Sequence, residues 1–422
     1  MKKKLLIAEP FSIFLLVSGI GIIVFVIRMA ITQGDIATWL VMEHNFNWQF
    51  TDFYRQILFA SNLENTYSYP WASFPPLAYC FFHLLYIVNP VDLDPANVTA
   101  WTGIQFVTYN PLLFLLWNIV LYSSLFVVIE GINKFSLSRT QSFLMFLLLI
   151  FSAPFMSGAI ERGNPAALVF VLLLFSLYFS SSSNMYLREI GLILIAIAAG
   201  WKIYPAIFGF LYLQERRYKE AVRLVIYGIL FFFVPFVFTG GLTGFKNYIY
   251  TLTRLQGVLF PMWTDIKDFY AAVVYSFGGK PSAMAGSFIQ LFAFAVMLVG
   301  IFISKSRWHA ILFASAIMST CISCSYRYVS IYMAIPLVSL FAEIKQRGYT
   351  NKLDYINVIL FALTFTIPIY GYILNIGECD MYIFLPIYLI ILVNVINVYV
   401  TIHSRPVGMT SQAGISPLPD RV

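Results

Sequence analysis

Apolar runs of about 20 residues, the length that crosses a bilayer, recur from one end of this chain to the other. Inside hydrocarbon a backbone must satisfy its own hydrogen bonds, and a continuous apolar run does so as a helix. The chain therefore reads as all-α, a polytopic membrane protein with almost no soluble mass. Its 422 residues are 60% hydrophobic and 11% charged, where soluble domains carry about 25% charged residues. There is room for roughly 11–13 crossings. The net charge of +7 is not a nucleic-acid footprint, because the lysines and arginines sit mostly in short loops between spans, which is the positive-inside pattern.

Met1-Lys2-Lys3-Lys4 before an apolar run has the outline of a secretory leader. The run over 11–31 is too long for one, and no small-residue cleavage site follows. It reads as an uncleaved first span with a cytoplasmic N-terminus. A polar, aromatic outer segment follows over 32–74, with a surface-lying helix expected over 52–59. Pro75 and Pro76 suit the first turn of a helix and open an apolar stretch that runs to Val88. Further spans are expected over 111–130, 141–160, 165–180, 191–213 (broken in its middle), 221–239, 284–304, 310–324, 328–341, 355–376 and 381–400. The layout is a catalytic membrane module over 1–240, an outer loop over 241–283, C-terminal membrane helices over 284–402 and a disordered cytoplasmic tail over 403–422. Basic loops at Lys134/Arg139, Arg216-Arg217-Tyr218-Lys219, Lys305/Arg307, Lys345/Arg347/Lys352 and His403/Arg405 mark one face. They agree with one another if 240–283 faces the other side. For 75–109, a pair of crossings (75–88 and 96–109) and a single crossing both stay open.

Charges inside or beside these runs are the places to look for chemistry, since an ionised group at membrane depth is costly unless it is paired or functional. Asp52 and Arg55 stand in the outer segment among Trp48, Phe50, Phe53 and Tyr54. Glu161-Arg162-Gly163-Asn164-Pro165 joins two spans, and its arginine falls on the face the positive-inside rule does not favour. Gly200-Trp201-Lys202-Ile203-Tyr204-Pro205 breaks an apolar run with a lysine that must find an anion, a cavity or the interface. Pro205 removes a backbone bond there, and broken helices at this depth line cavities. Ser325-Tyr326-Arg327-Tyr328 ends a later span. The outer loop carries Lys246, Tyr248, Tyr250, Arg254, Trp263, Asp265, Lys267 and Asp268, a mixture able to bind sugar hydroxyls and equally an ordinary interfacial loop. Cys321-Ile322-Ser323-Cys324 has CxxC spacing without further ligands, and His44, His83, His309 and His403 are scattered. No metal and no cofactor are expected.

Four of these pieces, in this order, resemble the GT-C class of membrane glycosyltransferases, and more narrowly glycosyltransferase family 87: Asp52-Phe53-Tyr54, Ser73-Phe74-Pro75-Pro76-Leu77, Arg162-Gly163-Asn164, and Lys202-Ile203-Tyr204-Pro205 leading to Arg216-Arg217. Order and spacing agree over 11–239. The resemblance implies a GT-C-like helical bundle whose first outer loop carries the catalytic carboxylate. It also implies a polyprenyl-phosphate-linked sugar as donor and a glycolipid or polysaccharide acceptor at the outer face of a bacterial cytoplasmic membrane. On that reading Asp52 is the general base of an inverting transfer. Lys202, Arg162, Asn164, Tyr204 and Arg55 contact the donor or its phosphate, and Arg327 joins them by position. Asp35 and Glu64 are further acids in the same segment, so the base is not unique, and Asp92 and Asp94 fall on either face. Two other readings stand beside this one. An O-antigen polymerase or ligase would rest on later arginines such as Arg254 and Arg327. A lipid or solute transporter would show internal repeats, and none recur here.

Overall fold

The computed structural model of the protein describes residues 2–34, 50–88, 111–135, 137–152, 154–256, 264–322, 327–366 and 380–403. Among the described residues there are helices and no strand, as the apolar pattern requires. In chain order the helices are α1 (Lys2–Ile31), α2 (Thr51–Phe59), α3 (Pro76–Val88), α4 (Pro111–Phe135), α5 (Arg139–Ile150), α6 (Ala166–Ser180), α7 (Met185–Trp201), α8 (Gly209–Gln214), α9 (Tyr218–Phe233), α10 (Gly241–Gln256), α11 (Ile266–Ser276), α12 (Ala283–Ile303), α13 (Arg307–Thr320), α14 (Ala334–Arg347), α15 (Lys352–Phe365) and α16 (Asp380–His403). Among the described residues, five helical stretches are long and apolar enough to cross a membrane: Pro10–Ile31, Tyr218–Val237, Ala283–Ile303, Arg327–Arg347 and Phe384–Thr401. Shorter apolar helices cover Pro76–Val88, Pro111–Ser124, Arg139–Ile150 and Ala166–Ser180. Asp35, Asp92, Asp94, the stretch 96–109 and the tail beyond 403 lie outside the described residues.

Two expectations change. The run over 141–160 is not one helix. It starts on a capping box, in which the Ser138 hydroxyl accepts from the Gln141 amide at 3.3 Å and the Gln141 side chain accepts from the Ser138 amide at 3.1 Å. It ends at Ile150, and a wide π-helical turn, Pro154–Glu161, follows. Such turns open the regular hydrogen-bond ladder and often stand next to functional residues. The stretch over 241–283, expected as a loop, is also structured: α10 and α11 occupy most of it. Their mixed polar and aromatic sequence hides the apolar spacing of a half-buried helix.

Contacts between loops give the bundle two ends. At one end Arg307 bonds both the α6 terminus, through Ser180 Oγ at 2.7 Å, and the turn after α8, through Glu215 at 2.8 Å. Arg217 pairs with Glu215 at 3.0 Å, Arg188 with Glu220 at 3.2 Å, and Arg223 with Glu189 at 3.0 Å. The basic loops 216–219 and 305–307 thus converge with the 180–184 turn. At the other end stand the start of α2, the start of α6 and the break after α7, so α6 and α7 run between the two ends in opposite directions. The core between them is rich in aromatic and aliphatic groups, with Phe53, Phe82, Trp117, Phe170 and Tyr332 wholly buried. The outward flanks of α1, α9 and α12 expose Leu16, Ile23, Val225, Ile229, Phe288 and Leu291, the surface a lipid-facing helix presents.

Candidate active site

The site is built where α2 meets the loop before α6. Phe50 takes a left-handed conformation at the start of α2, with φ 53°. Its amide donates to the Glu161 carbonyl at 2.7 Å, and the Asp52 amide donates to the Arg162 carbonyl at 3.1 Å. These two bonds lock the first turn of α2 onto 161–162. Gly163 then reverses the chain at φ +63°, so that Arg162 and Asn164, on either side of it, both turn back toward α2. Phe53 stacks on Trp117 at 4.7 Å under the same turn, leaving no room for a larger residue at 163.

Asp52 is held by both neighbours of that glycine. Arg162 Nη2 donates to Oδ1 at 2.9 Å and Nε to Oδ2 at 3.2 Å, a two-pronged guanidinium–carboxylate pair. Asn164 Nδ2 donates to Oδ2 at 2.7 Å. Its amide is oriented for this because Oδ1 accepts from the Ala166 amide at 2.9 Å at the start of α6. Burial pushes the Asp52 carboxyl up. The Arg162 charge and hydrogen bonds, the Asn164 bond and the more distant Lys202 charge outweigh it, so the group lies below its ordinary value and is ionised at neutral pH. A place in the first turn of a helix also favours the anion.

The two oxygens are not equivalent. Oδ2 accepts two hydrogen bonds and Oδ1 one, while each carboxylate oxygen offers two lone pairs. Arg162's side chain is 3% exposed and Asp52's 17%. Among the described residues, Oδ1 is the oxygen with spare accepting capacity on a partly open carboxylate.

Lys202 ends α7 in extended conformation, with φ −144° and ψ 125°. Pro205 enters the next turn, Tyr204–Phe208, at its beginning, so the α-helix cannot run through. The break expected from sequence is present, and it carries Lys202 to the Asp52 end. The lysine is 5% exposed. Its ammonium lies 4.3 Å from the Phe74 ring centroid and 4.7 Å from that of Tyr328, both within cation–π range. Among the described residues it has no ion-pair partner.

Three of the expected site residues, Asp52, Arg162 and Asn164, therefore bond one another, and Lys202 lies near enough for its charge to act on Asp52. Arg162 and Asn164 were expected at a phosphate and are found on Asp52. Tyr204 turns to Tyr332, their hydroxyls 3.1 Å apart. Arg327 is buried and opens the turn Arg327–Met333, one residue before the Tyr328 that covers Lys202. Arg55 follows Asp52 on α2, and its charge reaches the Tyr54 hydroxyl. Glu64 is exposed on the turn Leu63–Ser68 and bonds none of these groups. Arg254 Nη2 donates to the Pro70 carbonyl at 2.6 Å and its guanidinium lies 5.4 Å from the Trp71 ring. Tyr248, grouped with the sugar-facing aromatics, is wholly buried against Tyr67, Phe232 and Phe236. Phe74 and Tyr328, present in the sequence reading only as members of the segments 73–77 and 325–328, form the cage of Lys202. Trp117, beneath Gly163, lies mid-span with no charged residue near it in sequence, so nothing in the sequence marked it.

A family model described as Glycosyltransferase family 87 matches residues 71–327, more than half of the chain. The matched stretch holds Arg162, Asn164, Lys202, Tyr204 and Arg327, while Asp52 and Arg55 precede it. No curated protein and no solved structure matches the chain.

Gly163 tests the joint. A Cβ there would lie 2.8 Å from Phe53 Cβ and 3.1 Å from Trp117 Nε1, on a backbone that costs an L-residue about 1–2 kcal/mol. Gly163→Ala is expected to lower the melting temperature of the purified protein in detergent. An unchanged melting curve would show that the joint is looser than described.

Proposed function

This chain belongs to glycosyltransferase family 87, and on that premise we propose that it moves a sugar from a polyprenyl-phosphate donor to a lipid-linked or envelope-glycan acceptor, with inversion. The carrying observation is the placement, at one end of the bundle, of a partly exposed carboxylate held by Arg162 and Asn164 and a buried lysine that has no ion-pair partner among the described residues. The acceptor hydroxyl donates to Asp52 Oδ1. As its oxygen attacks the anomeric carbon, the proton passes to Asp52. The carbon–oxygen bond to phosphate breaks, and its electron pair stays on the phosphate. Lys202 faces that growing charge, and a cation fixed there in low dielectric lowers the barrier more than one in water.

Arg162 and Asn164 have a different part in this reading from the one first expected. They hold the carboxylate ionised and fix which oxygen is open. The basic loops at 216–219 and 305–307, gathered at the opposite end, favour a cytoplasmic position for that end by the positive-inside rule. This supports the reading that Asp52 works at the outer face of the cytoplasmic membrane. The polymerase or ligase reading loses one of its arginines, since Arg254 is engaged by Pro70 and Trp71.

The direct test is sugar transfer from synthetic polyprenyl-phosphate sugars to extracted glycolipids. Asp52→Asn keeps size and removes the base, and in protein whose melting curve shows it folded, transfer is expected to fall about 10²–10⁴-fold. Full transfer by this variant would move the base to another acid. A second outcome concerns pH. The base must be ionised, and Arg162 favours the ionised form against burial. In Arg162→Gln the acid limb of kcat/KM is expected at higher pH than in wild type. An identical pH profile would separate Arg162 from the titrating group.

A further inference from the structure

A second polar site lies on the same outer layer, between the turn Leu63–Ser68 and the first turns of α10. This groove has a volume of about 270 Å³ and is lined by Glu64, Asn65, Tyr67, Ser68, Thr243 and Asn247. That is close to the lower bound of about 300 Å³ for small-molecule sites, and it suits one ring rather than a chain. Glycines set its shape. Gly240 takes φ +87°, and a Cβ there would lie 2.7 Å from the Glu64 carbonyl oxygen, so any other residue would push α10 off the turn.

The lining has one chemical character. No basic group lines the groove, and Glu64 makes it hostile to phosphate. Among the described residues, the side chains of Glu64, Asn65, Thr243 and Asn247 make no hydrogen bond to other protein groups. They offer a carboxylate acceptor, two amides that donate and accept, and a hydroxyl. Ser68 Oγ donates to the Asn65 carbonyl at 2.6 Å and keeps its accepting lone pairs. Mixed donors and acceptors around a ring-sized groove match the vicinal hydroxyls of a neutral sugar.

Its floor leads to the reaction centre. The buried Tyr67 hydroxyl donates to the Phe74 carbonyl at 2.8 Å, and the Phe74 ring carries Lys202 at 4.3 Å. Tyr67, which lines the groove, thus bonds the backbone of the residue whose ring cages the buried cation. The groove's first lining residue, Glu64, also follows five residues after the end of α2, the helix that holds Asp52.

We propose that this groove is a subsite for a neutral sugar residue of the acceptor glycan, with Glu64 and Asn247 gripping its hydroxyls. The proposal rests on the transferase reading above. It is tested by saturation-transfer NMR on the full chain in lipid nanodiscs, with methyl α-mannoside, methyl α-glucoside, methyl β-galactoside and methyl α-rhamnoside as probes. Wild type and Asp52→Asn are expected to saturate at least one glycoside. In Glu64→Ala and Asn247→Ala, with unchanged melting temperatures, its Kd is expected to weaken about tenfold or more. The groove-filling Thr243→Trp is expected to abolish saturation, and inorganic phosphate is expected not to compete. Unchanged Kd in both alanine variants, displacement by phosphate, or no saturation of any glycoside would overturn the proposal. Because binding is read and not transfer, a failed Asp52 assignment leaves this outcome unaffected.

Discussion

The pairing of Asp52 with Arg162 is the interaction on which the rest of the site depends. A carboxylate at this depth without a partner would take up a proton, since burial alone favours the neutral form. The guanidinium keeps it charged, and Asn164 adds a third hydrogen bond. Removing one member of such a pair typically costs about 3–5 kcal/mol, because the other charge is left buried and uncompensated. The local backbone serves this pair. The amides of Phe50 and Asp52 bond the carbonyls of Glu161 and Arg162, and Gly163 turns the chain so that both of its neighbours point back.

Lys202 supplies the second half of the arrangement, and its cost is met differently. Among the described residues its ammonium lies against aromatic faces, those of Phe74 and Tyr328. A cation held by Phe74 and Tyr328 keeps an attraction for an arriving anion that a tightly paired lysine would have spent. The break after α7 is what brings it there. The ion-pair network at the opposite end ties the 180–184, 214–220 and 305–307 loops together, fixing α6 and α7 between the two ends.

Much of this was legible in the sequence. Asp52, Arg162 and Lys202 stood out because charges are rare beside apolar runs, and Pro205 announced the break. The partner of Asp52 was not legible. Arg162 lies 110 positions away, and nothing local says which of several acids it meets. Asn164 looked like a sugar or phosphate ligand because the Asx turn that aims it at Asp52 exists only in three dimensions. Phe74 and Tyr328 were hidden by abundance, with aromatics making up 18% of the chain. The run over 141–160 misled for a physical reason: hydropathy records that residues are apolar and not that the helix opens into a wide turn at Pro154. The family match runs to residue 327, past the point near 239 where the motif resemblance faded; the later charges, Lys246, Arg254, Asp265 and Asp268 among them, form no short motif of that kind.

In the proposed reaction Asp52 and Lys202 flank the reacting bond, and electron cryomicroscopy of the protein bound to a polyprenyl phosphate would show whether they do. Phosphate density is expected beside Lys202, between Phe74 and Tyr328, with Asp52 Oδ1 facing the side from which an acceptor would come. Phosphate bound elsewhere, with Lys202 still buried against its two rings, would contradict it.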